Sequence, residues 1–224
     1  MVKLSFSANT YVKALITSSL ASAIIYWVGS QAYDDYYLGF MNWNLFLAWL
    51  PLLFAWLLER HLQHESWVSW QGIAFSFLWL GFLPNSFYIA SDLVHIRGTT
   101  ADIALFYVVT LASFTISGLL LGYSSLYVVH RQLLKRFRVQ TAHLLVSAVL
   151  LLSSFAIYLG RYLRWNTWDV LINPAGLIFD VSDRFANPTA HSRTFQVTLL
   201  FFSLLGSLYM IIWQVLESVR PTRR

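Results

Sequence analysis

Two segments carry most of the side chains that could do chemistry. The first is LPNSFYIASDLVHIR at 83–97. Pro84 removes a backbone donor and disfavours helix at Leu83, which predicts a kink or break there. If helix resumes beyond it, Asn85, Tyr88, Asp92 and His95 fall at i, i+3, i+7 and i+10 and share a face. Asp92 and His95 would then be placed to share a proton as general base and acid, or to hold a divalent metal. The plainer reading is an interfacial helix end whose polar face meets water and lipid headgroups. The second segment is YLGRYLRWNTWD at 158–169. A helix running past Leu159 would put Tyr158, Arg161, Trp165 and Trp168 on one face, with Arg164 beside it. The planar fork of arginine binds phosphate or carboxylate through two parallel bonds, and tryptophan faces can hold the cation. An aromatic belt with snorkelling arginines is the alternative, and it accounts less well for two arginines followed by Asn166 and Asp169. The candidate ligand-binding set is therefore Asn85, Tyr88, Arg161, Arg164, Trp168 and Asp169. Asp92 and His95 are the catalytic candidates, and the metal candidates are that pair with Asp180 and Asp183, although no metal signature is complete.

The elements that must position these groups are membrane-spanning helices. Of 224 residues, 58% are hydrophobic, 17% aromatic and 11% charged, against roughly 25% charged in soluble domains. A spanning helix needs about 20 mainly apolar residues. Six stretches qualify: Val12–Ala32, Asn44–Leu58, Val68–Ile89, Ile103–Val129, Ala142–Leu159 and Thr194–Leu216. The expected fold is an all-α integral membrane protein, residues 1–224 forming one polytopic domain. Ala21-Ser22-Ala23 resembles a signal-peptidase site, but the apolar run continues through Val28, so an uncleaved anchor is expected. Lys3, Lys13, Arg60, Arg131, Lys135, Arg136, Arg138, Arg220, Arg223 and Arg224 lie on one side of the spans. Only Arg97, Arg161, Arg164, Arg184 and Arg193 lie on the other. This bias places both termini in the cytoplasm and the two polar segments at the outer face of the plasma (inner) membrane. The net charge of +5 sits in short clusters between apolar spans, which fits orientation signals and not nucleic-acid binding. There is no cysteine, which excludes disulfide and thiolate chemistry.

Other features read as architecture. Gly118-x-x-x-Gly122 and Ser113-x-x-x-Ser117, Ala14 with Ser18 and Ser22, and Ser203 with Ser207 are small-residue pairs that let helices approach. Thr99-x-x-Asp102 reads as a capping box. Asn42 and Asn44 read as caps around an interfacial Trp43. His61, His64, Glu59 and Glu65 form a charged turn, and His130 and His143 are expected at an interface. The long outer loop 160–193 is apolar in its middle, VLINPAGLIFDV, and is expected to dip into the interface or cover the bundle. No Asp, Glu, Lys or Arg falls at mid-span, as pumps and ion-coupled carriers would require. No P-loop, dinucleotide fingerprint, HExxH or nucleophile elbow is present, so no cofactor is expected.

NWNLFLAWLPL at 42–52, LPNSFYIASDLVH at 83–95 and YLGRYLRWNTWDV at 158–170 together resemble the bacterial membrane-protein family called domain of unknown function 1361. The resemblance runs from the second span to the sixth. It implies a multi-pass prokaryotic membrane protein and supplies no activity or catalytic residue. The residues themselves favour a binding protein with a polar site at the outer leaflet, its partners being membrane lipid and an anionic ligand. The alternatives are a membrane-embedded enzyme acting on a lipid-linked or phosphorylated substrate, and a structural subunit whose charges only pair with each other. Oligomeric state is not readable from the sequence.

Overall fold

The structure, a computed structural model, describes residues 8–97 and 99–219. Lys3, Arg220, Arg223 and Arg224 of the basic clusters lie outside the described residues. The described secondary structure is helical: α1 (Ala8–Tyr33), α2 (Phe40–His61), α3 (Trp70–Tyr88), α4 (Ala101–Arg136), α5 (Val139–Tyr162), α6 (Asp169–Ile172), α7 (Pro174–Ala186) and α8 (Ser192–Val219), with 3-10 stretches at Tyr37–Gly39 and Ile89–Ile96. Among the described residues, six helices are long and apolar enough to cross a membrane, so the chain is a multi-pass membrane protein. The second span is longer than its apolar run suggests, because Tyr37–Gly39 leads directly into α2. The fourth extends to Arg136.

The 36-residue α4 is the centre of the bundle and packs against α1, α2, α3 and α5, while α2 also packs on α3, and α8 on α5. Small residues make these approaches possible. A Cβ on Gly118 would stand 2.8 Å from the Ser86 carbonyl oxygen, and one on Gly122 would stand 2.6 Å from the Phe87 ring. These two glycines are where α3 crosses α4, as the spacing predicted. The serines of α1 play the same part. Ser18 and Ser22 bond Ser117 of α4 at 2.6 and 3.0 Å. Ser203 and Ser207 do not follow suit. They are exposed on α8 and line a cleft of about 520 Å³ between α5 and α8.

Four further expectations are corrected. Pro84 does not break α3, the second of the two outcomes expected of it; the helix continues to Tyr88. The capping box at Thr99–Asp102 does not form. Thr99 donates back to the Ile96 carbonyl, and Thr100 precedes α4 without a side-chain cap. His130 is fully buried, not interfacial. Its Nδ1 lies 2.9 Å from the Tyr209 hydroxyl and its ring stacks on Trp213. Asn42 and Asn44 do not cap α2, whose N-cap position is Gly39.

Candidate functional site

The site is assembled from three elements at one end of the bundle. Beyond Tyr88 the chain tightens into an eight-residue 3-10 helix. Runs of this kind longer than three or four residues are uncommon, and residues at i and i+3 eclipse one another in them. The Ser91 hydroxyl donates to the Tyr88 carbonyl at 2.7 Å and satisfies one acceptor freed by the change of pitch. The eclipsed geometry puts His95 directly over Asp92, its Nε2 3.8 Å from Asp92 Oδ1. Asp92 itself is 1% exposed.

Arg161, one residue before the end of α5, supplies the counter-charge. Its Nη2 donates to Asp92 Oδ1 in a short ion pair. Nε and Nη2 also reach the Ser91 hydroxyl at 3.0 and 2.8 Å. The guanidinium lies over the Tyr88 ring, 4.8 Å from its centroid. The approach depends on Gly160, where a Cβ would meet the Tyr88 ring at 2.9 Å. From α2, Asn44 Nδ2 donates to the other carboxylate oxygen, Oδ2, at 3.0 Å. Both oxygens of Asp92 are thus held by donors, as a buried carboxylate requires.

The third face of the guanidinium meets a neutral partner. Arg161 Nη1 lies 3.3 Å from His95 Nε2. A guanidinium only donates, so that nitrogen accepts and the imidazole proton sits on Nδ1. Nδ1 in turn lies 3.2 Å from the Tyr37 hydroxyl. Tyr37 and Phe40 pack edgewise on the His95 ring.

The two polar segments of the sequence therefore meet, but in fewer residues than their lengths suggest. The helix carrying Arg161 ends at Tyr162, and Arg164 takes a left-handed φ of 61°. Trp165 and Trp168 consequently leave the Tyr158–Arg161 face on which a continued helix would have put them. Arg164 is exposed and has no ion-pair partner among the described residues. Trp168 packs edgewise on Phe82. Asp169 accepts from the Asn166 backbone at 2.6 Å and closes its own turn. Asn85 points away from Asp92 because α3 is still α-helical there. Its amide reaches the Thr167 hydroxyl at 3.1 Å, a second tie between the segments. Asp180 and Asp183 do not approach Asp92. Asp180 accepts from Trp165 Nε1 at 2.7 Å and pairs with Arg184, while Asp183 holds His191 at 2.8 Å. Among the described residues no three His, Asp or Glu side chains converge as metal ligands.

Sequence reasoning missed Asn44, Ser91 and Tyr37 as members of the cluster. Asn44 had a signal, since it lies within the NWN motif at the same end of the spans as Asp92. Ser91 and Tyr37 had none.

The sequence profile of the family described as "Protein of unknown function (DUF1361)" matches residues 43–210. That range holds all of the cluster except Tyr37. No curated protein and no solved structure matches the chain. With three-quarters of its length inside the profile, the chain belongs to the DUF1361 family of proteins of unknown function.

Proposed function

We propose that this is a bacterial plasma-membrane protein that binds an anionic group, such as a lipid phosphate, at Arg161, with both termini cytoplasmic and the Asp92 cluster at the outer leaflet. The Lys and Arg bias supports that orientation. One observation carries the binding reading: among the described residues, the Nη1 edge of Arg161 is held by neutral His95 and by no carboxylate. The opposite edge is fixed by Asp92 and Ser91, so the fork is oriented with one side occupied by a displaceable partner. His95 and Arg161 are also the more open members, with side chains 24% and 19% exposed against 1% for Asp92. An arriving phosphate oxygen would take the place of His95 at Nη1, and the bond from Asn44 would keep Asp92 in place.

A second reading has its own support. Asp92 and Arg161 neutralise each other and Asp92 has no free oxygen, as expected of a lock between α2, α3 and α5. Buried ion pairs are weak contributors to net stability compared with apolar packing, which is why the binding reading is preferred. Protein purified in detergent and washed with phosphatidylglycerol or phosphatidylcholine separates the two. Under the binding reading, wild type retains phosphatidylglycerol selectively. His95→Ala raises its affinity by about tenfold, the loss of one competing charged hydrogen bond. Arg161→Lys, which keeps the cation but loses the fork, lowers it by a similar factor. Equal retention of both lipids by all three proteins would leave the lock.

A further inference from the structure

α7 has its charges and its apolar side chains on unexpected sides. Leu177, Asp180, Val181 and Arg184 recur at helical spacing on the face turned toward the protein. Arg184 there is only 7% exposed and donates to Asp180 Oδ1 at 3.2 Å, while Asp180 also accepts from Trp165 Nε1. The opposite face presents Ile178 and Phe179 at 65 and 72% exposure, and Phe185, at the flank, keeps 62%. Leu171 and Ile172, in the turn before it, are 76 and 78% exposed. A helix lying against a protein in water is arranged the other way round. Here Asp180 and Arg184 are used internally, Asp183 is turned to Asn187 and His191 at the helix end, and each outward apolar side chain would forgo about 1.5–3 kcal/mol of burial if it faced water.

The height of this helix is set by its neighbours. It lies between the end of α5 at Tyr162 and the start of α8 at Ser192, both membrane-crossing by length and composition. Phe185 packs on Phe155 of α5 and Phe195 of α8, with ring centroids 5.8 and 6.1 Å away. The helix is therefore docked beside the ends of two spans, the level at which hydrocarbon gives way to headgroups.

We infer that α7 and the turn before it form a monotopic membrane anchor, lying along the bilayer surface with Ile178 and Phe179 sunk into acyl chains. The occupant of this face is lipid, and no protein partner is required. The anchor also fixes the depth of Arg161, because Trp165, one turn further on, is bonded to Asp180.

The chain has no cysteine, so a single introduced thiol reports one position. Spin labels are placed at Phe179→Cys and Ile178→Cys in protein reconstituted into phosphatidylcholine–phosphatidylglycerol vesicles. Leu199→Cys on α8 calibrates lipid, and Asp102→Cys in the exposed first turn of α4 calibrates the aqueous edge. The expected result is high collision with oxygen, low collision with an aqueous nickel chelate, and a depth of about 5–10 Å below the phosphates. Nickel accessibility equal to that of the Asp102 label would overturn the inference. Shielding from both oxygen and nickel would overturn it too, since a protein surface would then cover the face. If Phe179→Cys fails to fold, Ile178→Cys alone decides.

Discussion

The bundle buries polar groups at both ends, and it treats them differently. At the Asp92 end the buried groups are charged, drawn from three elements, and every oxygen of the carboxylate has a donor. At the other end His130 of α4 meets Tyr209 and Trp213 of α8, both uncharged, and its Nε2 has no partner among the described residues. The helix crossings differ as well. α3 and α4 touch through Gly118 and Gly122, where no Cβ fits, whereas a Cβ on Gly206 of α8 would meet nothing within 4 Å. One end is closely packed around an ion pair. The other is held by aromatic rings and by a more exposed ion pair, Arg131 with Glu217 at 3.1 Å, beside an open cleft. A buried charge tolerates no slack, because an unmade bond to it costs several kcal/mol, while an unmade bond to a neutral imidazole costs less.

The sharpest way to break this contrast is to remove one charge. Arg161→Ala leaves the Asp92 carboxylate buried with only Asn44 and should destabilise the bundle by about 3–5 kcal/mol, read as unfolding in mixed detergent. Replacing both members, Asp92→Leu with Arg161→Met, should cost much less than either single change, because no charge is left without a partner. An Arg161→Ala protein as stable as wild type would mean that water already reaches Asp92 and that the two ends are alike.

What the sequence revealed follows the same division. The six spans were legible because apolar length alone decides whether a helix can cross a membrane. Their ends were not, since α2 gains a 3-10 lead-in and α4 runs a further two turns to Arg136 through residues too polar to score. That Asp92 and Arg161 could meet was legible as two polar segments expected at one depth, but that they do meet was not. The detailed membership was hidden by two backbone events. The switch from α to 3-10 at Ile89 turns Asn85 away and stacks His95 over Asp92, and the left-handed Arg164 ends the face on which Trp165 and Trp168 were expected. Neither event involves a glycine, so no residue type announced it. His130 looked interfacial because α4 was expected to stop at Val129. Once the helix continues, the imidazole is inside.

The packing half of the contrast can be tested at the glycines. Gly118→Ala pushes a methyl against the Ser86 carbonyl oxygen and the Ile89 side chain, both 2.8 Å away. It should destabilise by about 1–3 kcal/mol. Gly206→Ala enters open space and gains helix propensity, so it should be neutral or stabilising by up to about 1 kcal/mol. Equal costs at the two positions, measured by the same unfolding assay, would remove the distinction between a tight and a loose end. The aromatic end offers a smaller effect. Replacing both members of its hydrogen bond, His130→Phe with Tyr209→Phe, should stay within about 1 kcal/mol of wild type, since neither partner is left unsatisfied.

The smallest effect is expected where an acid is neither buried nor in a span. Asp183, at the end of α7, accepts from Asn187 Nδ2 at 2.7 Å and from His191 Nε2 at 2.8 Å. These two bonds, the one from Asn187 first, hold its carboxyl below the ordinary carboxylate range. A group whose folded-state value is depressed contributes stability that is present above the unfolded value, about 4, and lost as pH falls through the folded one. Acidification below about pH 4 should therefore loosen the turn from Asp183 to Thr194 while the Asp92 end, shielded from water, keeps its protection. Amide hydrogen exchange followed from neutral to acid pH reads both ends at once. In Asp183→Asn the turn should keep one protection factor, the observed rate relative to the intrinsic rate at each pH, across that range. If the turn and the Asp92 end lose protection together in wild type, the ion pair is no more enclosed than a surface carboxylate.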